Sequence, residues 1–158
     1  MPRKKTKVLQ RHIQPDRKYD SVLVQRFINK VMQDGKKLKA ERIVYDAFEE
    51  VERRTNQQAL EVFQQAIENA APSLEVKSRR VGGANYQVPF EVHGNRRTHL
   101  VLMWMVQAVR GKSGQPTSQR IADEIINAYN ETGDTFKKKE DSHRMAEANR
   151  AFAHLARF

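Results

Sequence analysis

Apolar residues follow a helical spacing along most of this chain, and the spacing changes to two at one place only. Steps of three and four residues, as on one face of a helix, run from Asp20 to Pro72 and again from Leu100 towards the end. Between Leu74 and Val92, apolar and polar residues alternate as in a strand. Because 158 residues suffice for one core, the pattern predicts a mainly α single domain with one β-hairpin.

Six helices are predicted in a bundle-like domain over residues 20–158, with the hairpin at about 73–92. In chain order the helices cover about 20–33, 40–54, 57–70, 100–109, 117–129 and 136–156. The fourth is the most apolar and contains Trp104, so we expect it to be central and buried on most sides. A basic turn, 94–97, precedes it. The expected inward stripe of the last helix is Met145, Ala148, Phe152 and Leu155.

The register of the hairpin depends on the length of its turn. A two-residue turn at 82–83 would pair Val76 with Pro89 and place the apolar rows of the two strands on opposite faces. A three-residue loop, 82–84, pairs Val76 with Phe90 and keeps the rows together, so we predict that loop. A two-stranded ribbon is marginally stable alone, and we expect it to project from the body. Its tip carries Lys77, Arg79, Arg80 and Tyr86.

The chain carries 29 Lys plus Arg against 19 Asp plus Glu, a net charge of +10, which indicates a polyanionic partner. Residues 1–18 hold seven bases and one acid, a net charge of +6, whereas residues 41–68 hold seven acids and three bases. We therefore predict that residues 1–19 are a flexible basic arm that folds along a polyanion, and that 41–68 faces water. The alternative for the arm is a solubilising tail.

Three consecutive lysines, 137–139, stand at the start of the last predicted helix. Cations are unfavourable at a helix N-terminus, so an external anion explains the run better than helix stability does. An ordinary solvated charge run is the alternative. A membrane is a weaker candidate for the anion, because no apolar run approaches the roughly 18 residues of a spanning helix and no apolar segment follows the basic start. We therefore expect a cytoplasmic protein that binds nucleic acid.

No pattern in the chain supports catalysis, and we predict no catalytic residue, cofactor or metal. The chain has no cysteine, which excludes disulfides and thiolate chemistry. The segment 111–113 lacks the first glycine of a phosphate-binding loop and a strand before it, and 34–37 lacks both that glycine and the hydroxyl. The pair 82–83 lacks the third glycine and the following helix of a dinucleotide fingerprint. His143 and Glu147 are one helical turn apart, but zinc usually needs three or four protein ligands.

Three long motifs resemble those of a known family. They are the stretch 20–47 with its Phe-Ile-Asn-Lys and Asp-Gly-Lys-Lys segments, the hairpin 78–89, and the closing segments 137–141 and 144–151. In this order they resemble the bacterial-type small-subunit ribosomal protein seven family over nearly the whole chain. The resemblance implies six helices with a protruding β-ribbon, direct binding to a junction in 16S-type rRNA, and nucleation of head-domain assembly. It also implies a place in the head of the small ribosomal subunit, near the mRNA exit and the exit-site tRNA, beside small-subunit proteins nine and eleven.

The resemblance and the charge pattern together give a hypothesis about residue roles. The residues assigned to rRNA are Arg3, Lys4, Lys5, Lys7, Arg11, Lys36, Lys37, Arg96 and Arg97. Those assigned to tRNA or mRNA are Lys77, Arg79, Arg80, Tyr86, Lys137, Lys138, Lys139 and Arg144. The family often has arginine before the tryptophan of the fourth helix, where this chain has Met103, so that RNA contact is not carried over. The loop 111–119 also departs from the family, and Lys112 receives no role.

Two other classes of function compete with this interpretation. An architectural DNA-binding protein would also use a helical body with a basic, proline-containing ribbon that reaches into a groove. Competition by long-duplex DNA as effective as that of structured RNA would favour it. A phosphate-loop or metal-dependent RNA enzyme is the third class, and measurable nucleotide turnover would support it.

Overall fold

The computed structural model describes residues 12–157, which form six α-helices, a two-stranded antiparallel sheet and a C-terminal 3-10 helix. The helices are α1 (Val22–Val31), α2 (Lys37–Thr55), α3 (Ala59–Ala70), α4 (Gly94–Gly111), α5 (Thr117–Tyr129) and α6 (Gly133–Ala148). The strands are β1 (Leu74–Val81) and β2 (Ala84–Glu91), and the 3-10 helix is Arg150–Arg157. The predicted class, a mainly α single domain with a β-ribbon, is confirmed.

The core lies between α1, α2, α3, α4 and α5. Phe27, Phe48 and Phe63 are fully buried at its centre, and the ring of Phe63 lies 5.2 Å from each of the other two. Tilted rings at this separation add attraction to the apolar area that they bury. Helix α5 contacts α2, α3, α4 and α6, with Ile121 and Ile125 buried. Helix α4 contacts α1, α3, α5 and α6, so α4 and α5 both lie at the centre of the helical domain.

Helix α4 begins at Gly94, so the predicted basic turn 94–97 is wrong, and these residues form the first turn of α4. A capping side chain and an acidic residue in the first turn are the signals that mark a helix start in a sequence. This turn has neither of them. Tertiary contacts support it instead. Arg26 of α1 donates to Asn95 at 2.8 Å, and Arg96 is paired with Glu75 of β1 at 2.9 Å.

The predicted three-residue hairpin loop is also wrong. Gly82 and Gly83 form a two-residue turn, and Val76 pairs with Pro89 in place of Phe90. Both glycines have positive φ, +58° and +90°, as in the turns whose twist matches that of the two strands. The prediction assumed that only one face of the ribbon is covered. In fact Val88 is fully buried on one face, while Val76 is half-buried on the other.

The last predicted helix is divided in two. Helix α6 ends at Ala148 and a 3-10 helix follows. The predicted inward stripe is wrong at Met145, which is 53% exposed, and at Ala148, which is also exposed. The buried residues of α6 are Thr135, Ser142 and Ala146, which are small or polar and give no apolar signal. Ser142 donates to the carbonyl of Leu74 at 2.9 Å. Helix α6 therefore lies against the base of the ribbon through a hydrogen bond and close approach.

The junction between the predicted arm and the body is built on Asp16. Its carboxylate is buried, accepts from the backbone N–H groups of Lys18 and Tyr19 at 3.0 Å, and accepts from the hydroxyl of Tyr45 at 2.6 Å. Burial and the neighbouring Asp16 carboxylate raise the pKa of Tyr45. The ring of Tyr19 lies 5.1 Å from that of Phe48. Residues 16–19 are thus attached to α2, whereas the arm residues Arg3, Lys4, Lys5, Lys7 and Arg11 lie outside the described residues.

Glu124 of α5 is a completely buried carboxylate that connects three parts of the chain. Its Oε1 accepts from the N–H of Thr135 at 2.8 Å and from its hydroxyl at 2.6 Å, so it satisfies the first turn of α6. Its Oε2 lies 2.5 Å from the ammonium of Lys112, in the loop between α4 and α5. Gly133 allows this approach, since a Cβ there would meet Asn127 at 2.8 Å and Glu124 at 3.4 Å.

We expect Glu124→Ala to lower the free energy of unfolding by about 3 kcal/mol, because it leaves the Thr135 N–H and the Lys112 ammonium without their acceptor. Urea denaturation followed by circular dichroism measures the change. The matched control is Glu68→Ala, which removes an exposed carboxylate from α3. Equal stabilities of the two variants would show that Glu124 has no such role.

Candidate nucleic-acid interface

Lys36 and Lys37 lie at the start of α2, and both are exposed. Lys36 is 3.6 Å from the carboxylate of Asp34, and Lys37 is 3.6 Å from that of Glu41. Ion pairs this exposed contribute little to stability, and they give way easily to another anion. Both ammonium groups are therefore accessible to a phosphate.

Arg96 and Arg97, in the first turn of α4, are both exposed but differ in their contacts. Arg96 holds Glu75 through Nε and Nη2, at 3.2 and 2.9 Å, and Lys77 reaches the other oxygen of the same carboxylate at 2.7 Å. Burial opposes the charge on Glu75, but the two cations outweigh it and lower its pKa. Arg97 makes no ion pair within residues 12–157. Arg96 thus has a fixed orientation, and Arg97 is the more available of the two.

The structure adds cations that the sequence reasoning missed. Arg26 and Lys30 of α1 lie beside the first turns of α4, and the pKa of His99 between them is lowered by burial and by Lys30 and Arg96. Arg110, at the other end of α4, donates to the carbonyl of Lys30 at 3.4 Å. We call this surface the cationic face. Its residues are Arg26, Lys30, Lys36, Lys39, Arg96 and Arg110. Arg26 and Lys30 are four residues apart, which places them on one face of α1. The sequence could not show that this face lies beside α4.

The acidic residues lie elsewhere. Most of the acids of α2 and α3 are exposed, and Glu50 binds Arg53 and Arg54 on α2 itself, at 2.6 and 2.5 Å. Asp34 is the one acid among the residues that line the clefts of the cationic face. The charge is therefore separated into an acidic surface on α2 and α3 and a basic one on α1 and α4, as a polyanion requires.

The four ribbon residues do not share one environment. Arg79 donates to the carbonyls of Leu155 and Ala156, at 2.9 and 3.3 Å, and the ring of Tyr86 lies 5.3 Å from that of Phe152. Both are thus occupied by the C-terminal 3-10 helix. Lys77 is paired with Glu75 and lies over the ring of Phe90. Arg80 is exposed and has no partner within the described range, 12–157.

The predicted cations of α6 also divide into held and available groups. Lys139 is half-buried and donates to the carbonyl of Asn69 at 2.6 Å, and it lies over the ring of Phe136. Lys137 is 4.0 Å from Asp134, and Arg144 is 2.6 Å from Asp141. Lys138 is exposed and has no ion pair in the part of the chain that the structure describes. Lys139 therefore fastens α6 to α3, and Lys138 is open to solvent.

Two side chains from segments that resemble parts of active sites, Lys112 and His143, have structural roles. Lys112, from the phosphate-loop-like segment, holds Glu124. His143 accepts from the backbone N–H of Ser73 through Nε2, at 3.0 Å, and so links α6 to the segment before β1. Within residues 12–157, no three His, Asp or Glu side chains come together as a metal site would require. None of the described helices is long and apolar enough to cross a membrane.

The link between His143 and Ser73 predicts a pH dependence of stability. Burial and the Lys139 ammonium lower the pKa of His143, so the folded state binds this proton less readily than the unfolded state, in which the pKa is about 6.5. The stabilisation of the folded state by neutral His143 is then fully present above about pH 6.5, and it is lost as the pH falls through the lowered pKa. We expect His143→Gln to reduce the loss of stability between pH 7.5 and pH 5, measured by urea unfolding. His99 contributes with the same sign and remains in the variant.

The control for this measurement is His154→Gln, which changes an exposed histidine of the 3-10 helix. It should keep the wild-type pH dependence. If His143→Gln keeps it as well, His143 does not couple folding to pH.

Exposed cations on one side of a helical body, together with a basic ribbon, define a nucleic-acid-binding structural protein. The comparisons with known proteins identify the family. The model of the family "Ribosomal protein S7p/S5e" matches residues 2–150, and the chain belongs to this family of structural, non-enzymatic proteins.

The chain is similar to small ribosomal subunit proteins uS7 over its whole length. It is 55% identical to that of Chloroflexus aggregans over 157 residues, which are 99% of each chain. It is 58% identical to that of Thermotoga petrophila over 144 residues, 91% of this chain and 93% of the relative. It is 59% identical to that of Thermomicrobium roseum over 154 residues, 98% of each. The resemblance inferred from the three motifs is therefore confirmed.

Proposed function

We propose that this chain is a structural constituent of the small ribosomal subunit that binds 16S-type rRNA directly and nucleates assembly of the head domain. The proposal places it in the cytoplasm, in the head, near the mRNA exit and the exit-site tRNA, beside small-subunit proteins nine and eleven. The observation that carries RNA binding is the cationic face, where cations of α1, α2 and α4 share one surface while the acids lie on another. The family and the names of the relatives support a place in the small ribosomal subunit.

Electrostatic attraction to phosphates provides most of the affinity at this face, and the shape of the RNA provides the specificity. Lysine and arginine neutralise phosphates and release counterions, so affinity falls steeply with salt. The deep groove of A-form RNA does not admit side chains, so sequence is recognised where bases are unpaired. Arg96 is held by Glu75, which fixes its guanidinium before the RNA arrives. A rigid surface of this kind recognises the shape of an RNA junction.

The test is filter binding of the purified chain to a head-domain transcript of 16S-type rRNA at several salt concentrations, with long-duplex DNA and unrelated RNA as competitors. For roughly eight phosphate contacts the slope of log affinity against log salt should be about −6 to −7. Lys36→Glu, which reverses an exposed cation of the cationic face, should weaken binding and make the slope less steep. Equal competition by duplex DNA would overturn the proposal in favour of an architectural DNA-binding protein.

Arg53→Glu is the matched control, because it reverses an exposed arginine on the acidic surface of α2. It should leave the affinity for RNA within about twofold of the wild type. Equal losses from the two reversals would mean that net charge, and not the cationic face, determines binding.

We further propose that the ribbon tip and α6 face tRNA or mRNA, while the arm and the cationic face hold rRNA. Arg80 and Lys138 are the available cations of this second surface, and Arg79 is engaged with the 3-10 helix. Tyr86 is in contact with Phe152, so a base would stack on the part of the Tyr86 ring that Phe152 leaves exposed.

Arg80→Glu should lower the retention of exit-site tRNA in assembled subunits several-fold and leave the affinity for head-domain rRNA unchanged. Arg80 is the better position for the change, since reversal of Arg79 would also place a carboxylate against the carbonyls of Leu155 and Ala156. Arg80→Lys is the control and should retain tRNA. Loss of rRNA binding with tRNA retention intact would show that the assignment of the two surfaces is reversed.

A further inference from the structure

A cleft of about 360 Å³ opens where the ends of α1, α2, α4 and α5 meet, at one edge of the cationic face. This volume lies in the range of sites that hold small molecules, roughly 300–1,000 Å³. Its apolar walls are formed by Val31, Ile43, Val106, Val109 and Ile121. Its rim carries Lys36, Lys39 and Arg110. Apolar walls beside a cationic rim suit a ligand that has an apolar part and an anionic part.

Two helix N-termini open into the same cleft. The first turns of α2 and α5 line it, and neither helix has a side-chain cap. Uncapped N-terminal N–H groups favour an anion, and here they lie among the rim cations. The one acid at the rim is Asp34, which is exposed and paired with Lys36 at 3.6 Å. The anionic part of the ligand therefore belongs at the rim.

Arg120 lines the wall of the cleft and holds it in shape. Its Nη1 donates to the carbonyls of Val109 and Lys112, while Nη2 donates to the hydroxyl of Thr117. These bonds connect the end of α4 to the first turn of α5, so the wall is held in one arrangement.

We propose that this cleft holds one unstacked nucleotide of the RNA partner, with its base against the apolar walls and its phosphate at the rim. The inference rests on the proposed RNA binding and adds a specific subsite to it. An RNA strand is the source, because the cleft continues the cationic face through Lys30 and Val31, which are adjacent in α1. Phosphates on either side of the inserted nucleotide then meet cations.

The first test is Ile43→Trp, which fills the cleft from a half-buried wall position. We expect affinity for the head-domain transcript to fall roughly tenfold, because the inserted base loses its apolar contacts, with the salt slope unchanged because no cation is lost. Lys39→Gln should instead make the slope less steep by about one. The control is Ile126→Trp, at a half-buried isoleucine of α5 outside the cleft, and thermal unfolding shows that each variant is folded.

The second test keeps the wild-type chain and replaces single nucleotides of the transcript with abasic sites. One position should weaken binding as much as Ile43→Trp does, and combining the two changes should cause no further loss. Wild-type binding with no such position would overturn the subsite and leave the proposed function standing. Absence of specific RNA binding by the wild type would overturn both. Binding of free nucleoside monophosphates to the cleft, with RNA affinity unchanged in Ile43→Trp, would also reject the assignment to RNA.

Discussion

The arrangement of the basic surfaces depends on the contacts of one buried carboxylate, that of Glu124. It lies fully buried in α5, which contacts α2, α3, α4 and α6, and it accepts from Thr135 at the start of α6 and from Lys112 in the loop before α5. A buried carboxylate is costly unless every oxygen is satisfied, so the contact specifies one position for α6. The backbone of Lys112 also accepts from Arg120, which places the same loop at the edge of the cleft. One buried charge thus sets the position of both a lysine-bearing helix and a candidate binding site.

The fold could be predicted to the level of its elements, because that information is local. Helical spacing identified all six helices, and the change of spacing after Pro72 identified the ribbon. The errors at α4 and α6 share one cause, which is that tertiary contacts replaced local signals. The first turn of α4 has no cap but is held by Glu75 and Arg26, and α6 packs through Ser142 and Ala146, where no apolar stripe exists.

The same distinction applies to the candidate site. The sequence shows which residues are cations, but it does not show which cations already have partners. Arg79 and Lys139 read as available charges, yet they donate to carbonyls of Leu155 and Asn69, which are 76 and 70 residues away in the chain. Conversely, Arg26 and Lys30 appear on an ordinary amphipathic helix, and only the packing of α1 beside α4 brings them into the cationic face. Long-range contacts decide availability in both cases.

Held and available cations have different physical uses in such a protein. A cation that is bound to its own fold, such as Arg96 on Glu75, loses little conformational entropy when RNA binds, and it presents its charge at a defined place. A free cation, such as Arg97 or Lys138, adapts to the phosphate that it meets but loses rotamer freedom in doing so. Placing both types on one surface combines shape recognition with a steep electrostatic attraction. Shape recognition alone would bind too weakly, and attraction alone would accept any polyanion.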